Sequence, residues 1–272
     1  MNDPVKDVSK YCDKHGPYVG KIYINKLLGT EIISACPKCD QEEEEKERQE
    51  EERIRKEQQR KQYEKKMTEA GIPYRYWEKK FDTYQAKVDS QRKALDKAIQ
   101  YAENQNNVLK NGISMILYGK PGTGKTHLAI SILHRWETSK KYINARALTR
   151  AIRATYGDKT ISEQDVIDKY SAYGLLVIDE IGKQFMTDNE RFAMFDIINE
   201  RYNNVKPTIL VTNLALRDLQ DFLGEDTVDR FRERGGEAIK FAWESARRGN
   251  TGSSKEEVVD LIRLDGNNRR EK

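Results

Sequence analysis

From residue 85 onward, short apolar runs alternate with longer stretches of helical period. ISMILY (113–118), KYINA (141–145), GLLVID (174–179), PTILVT (207–212) and AIKFAW (238–243) read as strands. Residues 86–109, 124–139, 146–156, 162–170, 189–204 and 215–234 read as helices. Strands this short and this apolar belong to a sheet buried on both faces. The pattern therefore predicts an α/β domain with a parallel sheet covered by helices. No internal repeat is visible.

Before residue 85 the pattern breaks twice. Residues 41–69 are almost entirely Glu, Gln, Lys and Arg, and Ile54, Tyr63 and Met67 are the only large hydrophobic side chains there. No apolar stripe of normal width exists, so this segment cannot build a core. It suits a solitary helix nonetheless. Glu42 and Lys46, Glu44 and Arg48, Glu51 and Arg55, Glu52 and Lys56, and Glu57 and Lys61 are acid-before-base pairs four apart. Acids crowd its first half and bases its second, which complements the helix dipole. As a helix it would project roughly 40 Å at about 1.5 Å per residue; the alternative is a solvated, partly disordered linker. Gly71-Ile72-Pro73 ends it, and aromatics return in YRYWEKKFDTY. Residues 1–40 hold the strand-like run KIYINKLL, turn signals at Gly16-Pro17 and Gly29, and every cysteine. The expected organisation is a small module at 1–40, a charged helix or linker at 41–69, an α/β domain at 70–250 and a tail at 251–272.

Composition adds limits. Of the 272 residues, 37% are hydrophobic and 35% charged, so part of the length is solvated surface rather than core. The net charge of +4 is too small to imply nucleic-acid binding by itself. No window approaches 18 uncharged apolar residues, and MNDPVKDVSK lacks the apolar core of a signal peptide. A soluble cytoplasmic protein with no membrane partner and reduced cysteines is expected.

GKPGTGKT, residues 119–126, matches G-x-x-x-x-G-K-[ST] with a strand before it and a helix after it. Gly119, Gly122 and Gly124 let the backbone wrap a phosphate chain, in a loop completed by Lys120, Pro121 and Thr123. The following helix, opening with His127 among the candidate nucleotide contacts, adds its positive end. Lys125 is expected to reach the β and γ phosphates of ATP, and Thr126 to ligate Mg²⁺. LLVIDE supplies Asp179 for the metal and Glu180 for the attacking water. Asn213, ending LVTN, is placed to meet the γ-phosphate or that water. Each of the last two signals is weak alone; in series with the glycine-rich loop they are strong.

GKPGTGKTHLA, LLVIDEIG, ILVTN, VDRFRER and FAWESARRG, in this order, resemble the AAA+ ATPases of the bacterial DnaC/DnaI helicase-loader family, kin to the IstB transposition helpers. GIPYRYWEKKFDTY is similar to that family's lead-in to its core. The likeness covers about residues 70–250. It implies Walker A at Lys125 and Thr126, Walker B at Asp179 and Glu180, and sensor 1 at Asn213. It also implies an arginine finger at Arg230, given across a subunit boundary, and sensor 2 at Arg247. Arg232, Arg234 and Arg248 are close competitors. About 20 residues follow Arg248, too few for a C-terminal helical lid.

All three cysteines and one of three histidines fall into two knuckles, Cys12-x-x-His15 and Cys36-x-x-Cys39. Three thiolates and one imidazole make a closed structural Zn²⁺ site, and the metal would supply much of the folding free energy of so small a module. A redox Cys-x-x-Cys would leave Cys12 and His15 idle. NARALTRAIRATYGDK carries Arg146, Arg150 and Arg153 at helical spacing, followed by Tyr156. Arg150, Arg153 and Tyr156 are candidates for single-stranded DNA, by phosphate pairing and base stacking, against the alternative of a solvated helix face with a core tyrosine.

The expected protein is an ATPase that self-associates through its ATP sites and loads a hexameric replicative helicase onto single-stranded DNA, its N-terminal region docking the helicase by the resemblance. The alternative is an IstB-type helper that assembles on duplex DNA and recruits a transposase. Glu180 argues against a non-hydrolysing adaptor.

Overall fold

The computed structural model describes residues 6–25, 30–157, 160–182 and 187–245. The chain divides into two compact units, residues 1–65 and 66–272. The candidate Arg247, its competitor Arg248 and the question of a C-terminal lid lie outside the described residues.

In the first unit, β1 (Lys6–Cys12), β2 (Gly16–Asn25) and β3 (Thr30–Ile33) form an antiparallel meander. Gly16, opposite Cys12 at the β1–β2 turn, takes a left-handed φ of 80°. The helix expected from residue 41 begins earlier: α1 runs Pro37–Glu69. Proline has no N–H to leave unpaired at the first helical position, and the Cys36 carbonyl accepts from Asp40 N at 3.0 Å. The second knuckle therefore straddles a helix start. Two of the five expected ion pairs form, Glu52 with Lys56 at 2.6 Å and Glu57 with Lys61 at 2.8 Å. Arg48 turns instead to Glu45, and Glu42 leaves the helix surface for Lys14 and His15. Among the described residues of this unit, Cys36 is the only buried hydrophobic side chain.

The second unit opens with two 3₁₀ turns, Tyr74–Tyr76 and Phe81–Thr83. The helix expected over 86–109 divides at Asn104 (φ −91°, ψ 28°) into α2 (Asp89–Glu103) and α3 (Gln105–Asn111). Then come β4 (Met115–Gly119), α4 (Lys125–Arg135), β5 (Lys140–Asn144), α5 (Ala145–Thr155) and α6 (Glu163–Ala172). They are followed by β6 (Leu175–Ile181), α7 (Asp188–Asn203) and β7 (Thr208–Thr212). The helix expected over 215–234 divides into α8 (Leu216–Leu223) and α9 (Glu225–Arg230), because Gly224 sits at φ 90° between them; β8 (Glu237–Phe241) closes the sheet.

The five strands are parallel in the order β5-β6-β7-β4-β8. The chain leaves β4, skips two strands to reach β5 at the edge, and returns to add β8 on β4's other side. Such a reversal opens a crevice beyond the carboxyl ends of the strands. Alternation fills both faces: Ile116, Ile143, Ile178 and Leu210 join a core with α5 to α9. Leu117, Val177, Ile209 and Val211 are equally buried and lie outside that core, where α4 packs on the sheet.

One buried charge belongs to this scaffold. Arg201 is fully buried and donates to the carbonyls of Tyr173 and Pro207 at 2.6 Å, of Tyr170 at 3.1 Å and of Ser171 at 3.2 Å, and to Thr208 Oγ1 at 2.9 Å. It ties the end of α6 to the starts of β6 and β7. Burial pushes its guanidinium down to about 9. No helix among the described residues is long and apolar enough to cross a membrane.

Candidate functional site

The strand ends converge on one cavity at the crevice. Pro121, Gly122, Thr123, Gly124, Lys125, Thr126 and His127 line it together with Asp179, Glu180 and Asn213. The loop between β4 and α4 must be glycine-rich. Gly119 has φ 120°, and a Cβ there would come within 2.4 Å of the Phe241 carbonyl. Gly124 has φ 95°, and a Cβ would press to 2.7 Å on the Tyr84 ring. Neighbours clamp the loop: Lys120 N donates to Phe241 O at 2.9 Å, and Trp243 Nε1 donates to Thr123 O at 2.9 Å. Gly119 and Lys120 do not line the cavity; their carbonyls accept from Lys125 Nζ at 2.8 and 2.6 Å. The buried Lys125 is thus folded back onto its own loop.

Asp179 is the centre of a tight polar set. Its Oδ2 accepts from Thr126 Oγ1 and from Tyr142 OH, each at 2.9 Å, and its Oδ1 accepts from the backbone N–H of Glu180 at 2.7 Å. Burial raises its carboxyl above the usual range, and the bonds from Tyr142 and Thr126 oppose that. A hydroxyl and a carboxylate this close are the donor set that a hard divalent cation such as Mg²⁺ uses. Glu180 sits at a register shift in β6 with φ 61°, a left-handed conformation rare for a side-chain-bearing residue. The shift aims it away from the ladder, and its Oε2 accepts from Asn144 Nδ2 at 2.6 Å. Asn144 Oδ1 also accepts from Arg146 N at 2.9 Å, so one amide links Glu180 to the first turn of α5. His127 lines the cavity, but its ring nitrogen lies 2.8 Å from Lys80 O and its ring packs edge-on to Tyr84.

Residues 40–231 match the family described as IstB-like ATP binding protein. The chain belongs to that family. The replicative helicase loader DnaC of Escherichia coli (strain K12) is 32% identical over 191 residues, 69% of this chain and 77% of that protein. A crystal structure of the DnaC helicase loader superposes with a TM-score of 0.54 at 30% identity, covering 62% of this chain and 99% of that one. A crystal structure of DnaI gives 0.53 at 18% identity over 62% and 93% of the two chains, a likeness of fold alone. The fold of this IstB-like protein is that of the AAA+ ATPases.

Arg230 of this IstB-like chain lies away from the cavity. It is half-buried, donates to Asn199 Oδ1 and lies over the Tyr202 ring. The DNA candidates are only partly brought together. Arg150 and Tyr156 are exposed on α5 and at its end, whereas Arg153 makes a two-pronged ion pair with the buried Glu190, which caps the start of α7. Arg153 thereby ties two helices.

The second candidate centre lies before the matched family segment. Cys12, His15, Cys36 and Cys39 place their ligand atoms within 4.8 Å of one another. Cys12 and Cys39 sulfurs are 3.5 Å apart, and His15 Nδ1 lies 3.8, 3.7 and 3.3 Å from the sulfurs of Cys12, Cys36 and Cys39. A tetrahedral zinc with bonds of about 2.3 Å to sulfur and about 2.0 Å to nitrogen needs edges of roughly 3.5–3.8 Å. These four separations are close to those edges, and all the ligand atoms lie within 4.8 Å of one another, so the residues fit a zinc ion. The backbone N–H groups of His15 and Lys14 hold the Cys12 thiol down at about 6, and Cys12 beside it pushes Cys39 up to about 11. His15 Nε2 lies 3.0 Å from Glu42 Oε1, which leaves Nδ1 as the ligand atom.

Several residues at the nucleotide cavity carried no role from sequence. Tyr142 and Asn144 arrive because β5 pairs with β6, with Asn144 opposite Asp179. The polar strand end that marked Asn213 would also have marked Asn144. Arg75, Tyr76, Lys79 and Tyr84 line the cavity from the lead-in; their aromatic clustering just before the core was the available signal.

Proposed function

We propose that this protein is an ATP-dependent loader of a hexameric replicative helicase onto single-stranded DNA. The observation that carries the reading is its likeness to the DnaC helicase loader, at 30% identity over 99% of the solved chain. The assembled cavity supports it.

In this reading Lys125 leaves the carbonyls of Gly119 and Lys120 for the phosphates, and the loop amides of 119–126 complete the cradle. Thr126 and Asp179 would hold Mg²⁺, which supplies charge neutralisation on the phosphates when bound. Glu180 releases Asn144 to take a proton from the attacking water, and Asn213 orients the γ-phosphate. Arg230 serves the site of a neighbouring subunit and Arg247 its own. Cys12, His15, Cys36 and Cys39 would hold a structural Zn²⁺ with no open position for chemistry. The N-terminal module and charged helix dock the helicase, and the ATPase domain, with Arg150 and Tyr156 outward, meets the DNA. Arg153 joins that contact only by sharing its pair with Glu190.

The family's own name favours a second reading, a transposition helper that assembles on duplex DNA. A pull-down of the full-length protein against a replicative helicase, with and without ATP, separates the two. An ATP-dependent complex is expected. No complex, together with filaments on duplex DNA and a co-purified transposase, would replace the loader reading with the second.

A further inference from the structure

Tyr142 stands on β5 opposite Val177 of β6, and its long side chain leans along the strand to Asp179, two residues further on. Both side chains are buried. Asp179 Oδ2 accepts from Tyr142 OH and from Thr126 Oγ1, each at 2.9 Å, while Oδ1 accepts from Glu180 N at 2.7 Å. A carboxylate oxygen offers two lone pairs. Both lone pairs of Oδ2 are therefore taken, and the carboxylate cannot turn without breaking one of its bonds.

The phenol is held from behind as well. Tyr142 N donates to the Ala70 carbonyl at 2.8 Å, and Lys141 Nζ donates to the Glu69 carbonyl at 2.8 Å. Gly71 takes a left-handed φ of 72°, and a Cβ there would come within 2.7 Å of the Tyr142 carbonyl. The Tyr76 ring meets the Tyr142 ring edge-on, with centres 6.3 Å apart. The lead-in thus pins the strand that carries the phenol. Packing accounts for the ring, since a phenylalanine would fill the same place. It does not account for the hydroxyl, whose hydrogen goes to the acid at the head of the cavity.

Mg²⁺ demands near-octahedral geometry, whereas Ca²⁺ tolerates irregular sets of oxygen ligands. A bond that fixes a metal-binding carboxylate from outside therefore matters most for the stricter ion. We propose that Tyr142 is a positioning residue of the nucleotide site: by holding Asp179 Oδ2 it presents Asp179 and Thr126 in the arrangement that suits Mg²⁺, and so sets affinity and selectivity for that ion. This rests on the reading of the cavity as a magnesium–nucleotide site and adds a residue to it. Tyr142 does not line the cavity and acts through Asp179. It forms and breaks no covalent bond.

The test is ADP binding to the full-length protein by calorimetric titration, at increasing Mg²⁺, at increasing Ca²⁺ and with neither added. Tyr142→Phe keeps the ring and removes the hydroxyl. It is expected to raise the Mg²⁺ concentration that half-supports tight ADP binding by about 10–100-fold. The Ca²⁺ requirement should move much less, and ADP affinity without either ion should not change. A wild-type Mg²⁺ requirement in Tyr142→Phe overturns the proposal. Equal shifts for the two ions overturn it too, because a site loosened in general does not distinguish them, and so does a loss of ADP affinity that is already complete without either ion. Should Tyr142→Phe fail to fold, as judged by melting, Tyr142→Met removes the same hydroxyl with an adaptable side chain: a Mg²⁺-selective loss supports the proposal and a wild-type requirement overturns it. A wild type that binds no ADP, or to which Mg²⁺ adds nothing, overturns the nucleotide reading and the role of Tyr142 with it. A wild type that responds to Mg²⁺ beside a Tyr142→Phe that responds equally overturns the role of Tyr142 alone.

Discussion

The two compact units hold themselves together by different means. In residues 66–245 the strands of a parallel sheet bury isoleucine, leucine and valine on both faces. Among the described residues of 6–65 the one buried hydrophobic side chain is a cysteine, and that cysteine belongs to a cluster of three cysteines and a histidine. The first kind of fold depends on packing, and the second, if the proposed zinc is bound, on coordination chemistry. They should therefore fail independently, under different insults. In the proposed reading the same contrast separates their tasks: the sheet positions the residues of the nucleotide cavity, while the small module docks the helicase.

The largest effect should come from the metal. Removing zinc with a chelator, or Cys12→Ser, is expected to release about one equivalent of zinc and unfold the N-terminal module. The ATPase unit should keep its melting transition, as followed by calorimetry and metal analysis. A module that stays folded without metal would erase the contrast. Next, Glu180→Gln should lower hydrolysis by about 10²–10⁴-fold while leaving ATP binding and both folds intact, read by phosphate release and calorimetric titration. Arg201→Leu tests the opposite unit: it leaves several buried carbonyls without a donor and should lower ATPase-unit stability by about 3 kcal/mol, with zinc content unchanged. Smaller still, Glu42→Ala should weaken zinc by about 10–100-fold in chelator competition, since the His15 ring loses the acceptor that orients it. Smallest, Arg150→Glu with Tyr156→Ala should weaken single-stranded DNA binding by about tenfold. ATP hydrolysis measured without DNA should be unchanged, and full DNA affinity would assign both residues to the solvated face of α5.

Legibility in the sequence follows the same divide. The five strands and the loop at 119–126 were readable because apolar runs and glycine spacing are local signals. The grouping of Cys12, His15, Cys36 and Cys39 was readable because every cysteine fell into one pattern. Breaks that depend on a single backbone angle, at Asn104 and Gly224, were not visible inside continuous helical periodicity. Nor was the start of α1 at Pro37, where the knuckle and the helix share residues. Asn144 and Tyr142 stayed hidden because their place beside Asp179 and Glu180 depends on strand order, which lies in the long-range pairing of β5 with β6. Arg201 reads as surface in sequence, and only the carbonyls gathered around it make burial tolerable. Arg153 shows the reverse: a residue of DNA-binding type that the fold has tied to Glu190.

The loader reading is tested most directly by mixing the full-length protein, a replicative helicase and circular single-stranded DNA, and measuring helicase retained on the circles. The expected result is retention that requires this protein and ATP and is lost when its zinc is removed. Retention that is no greater with this protein and ATP than without them would contradict the account.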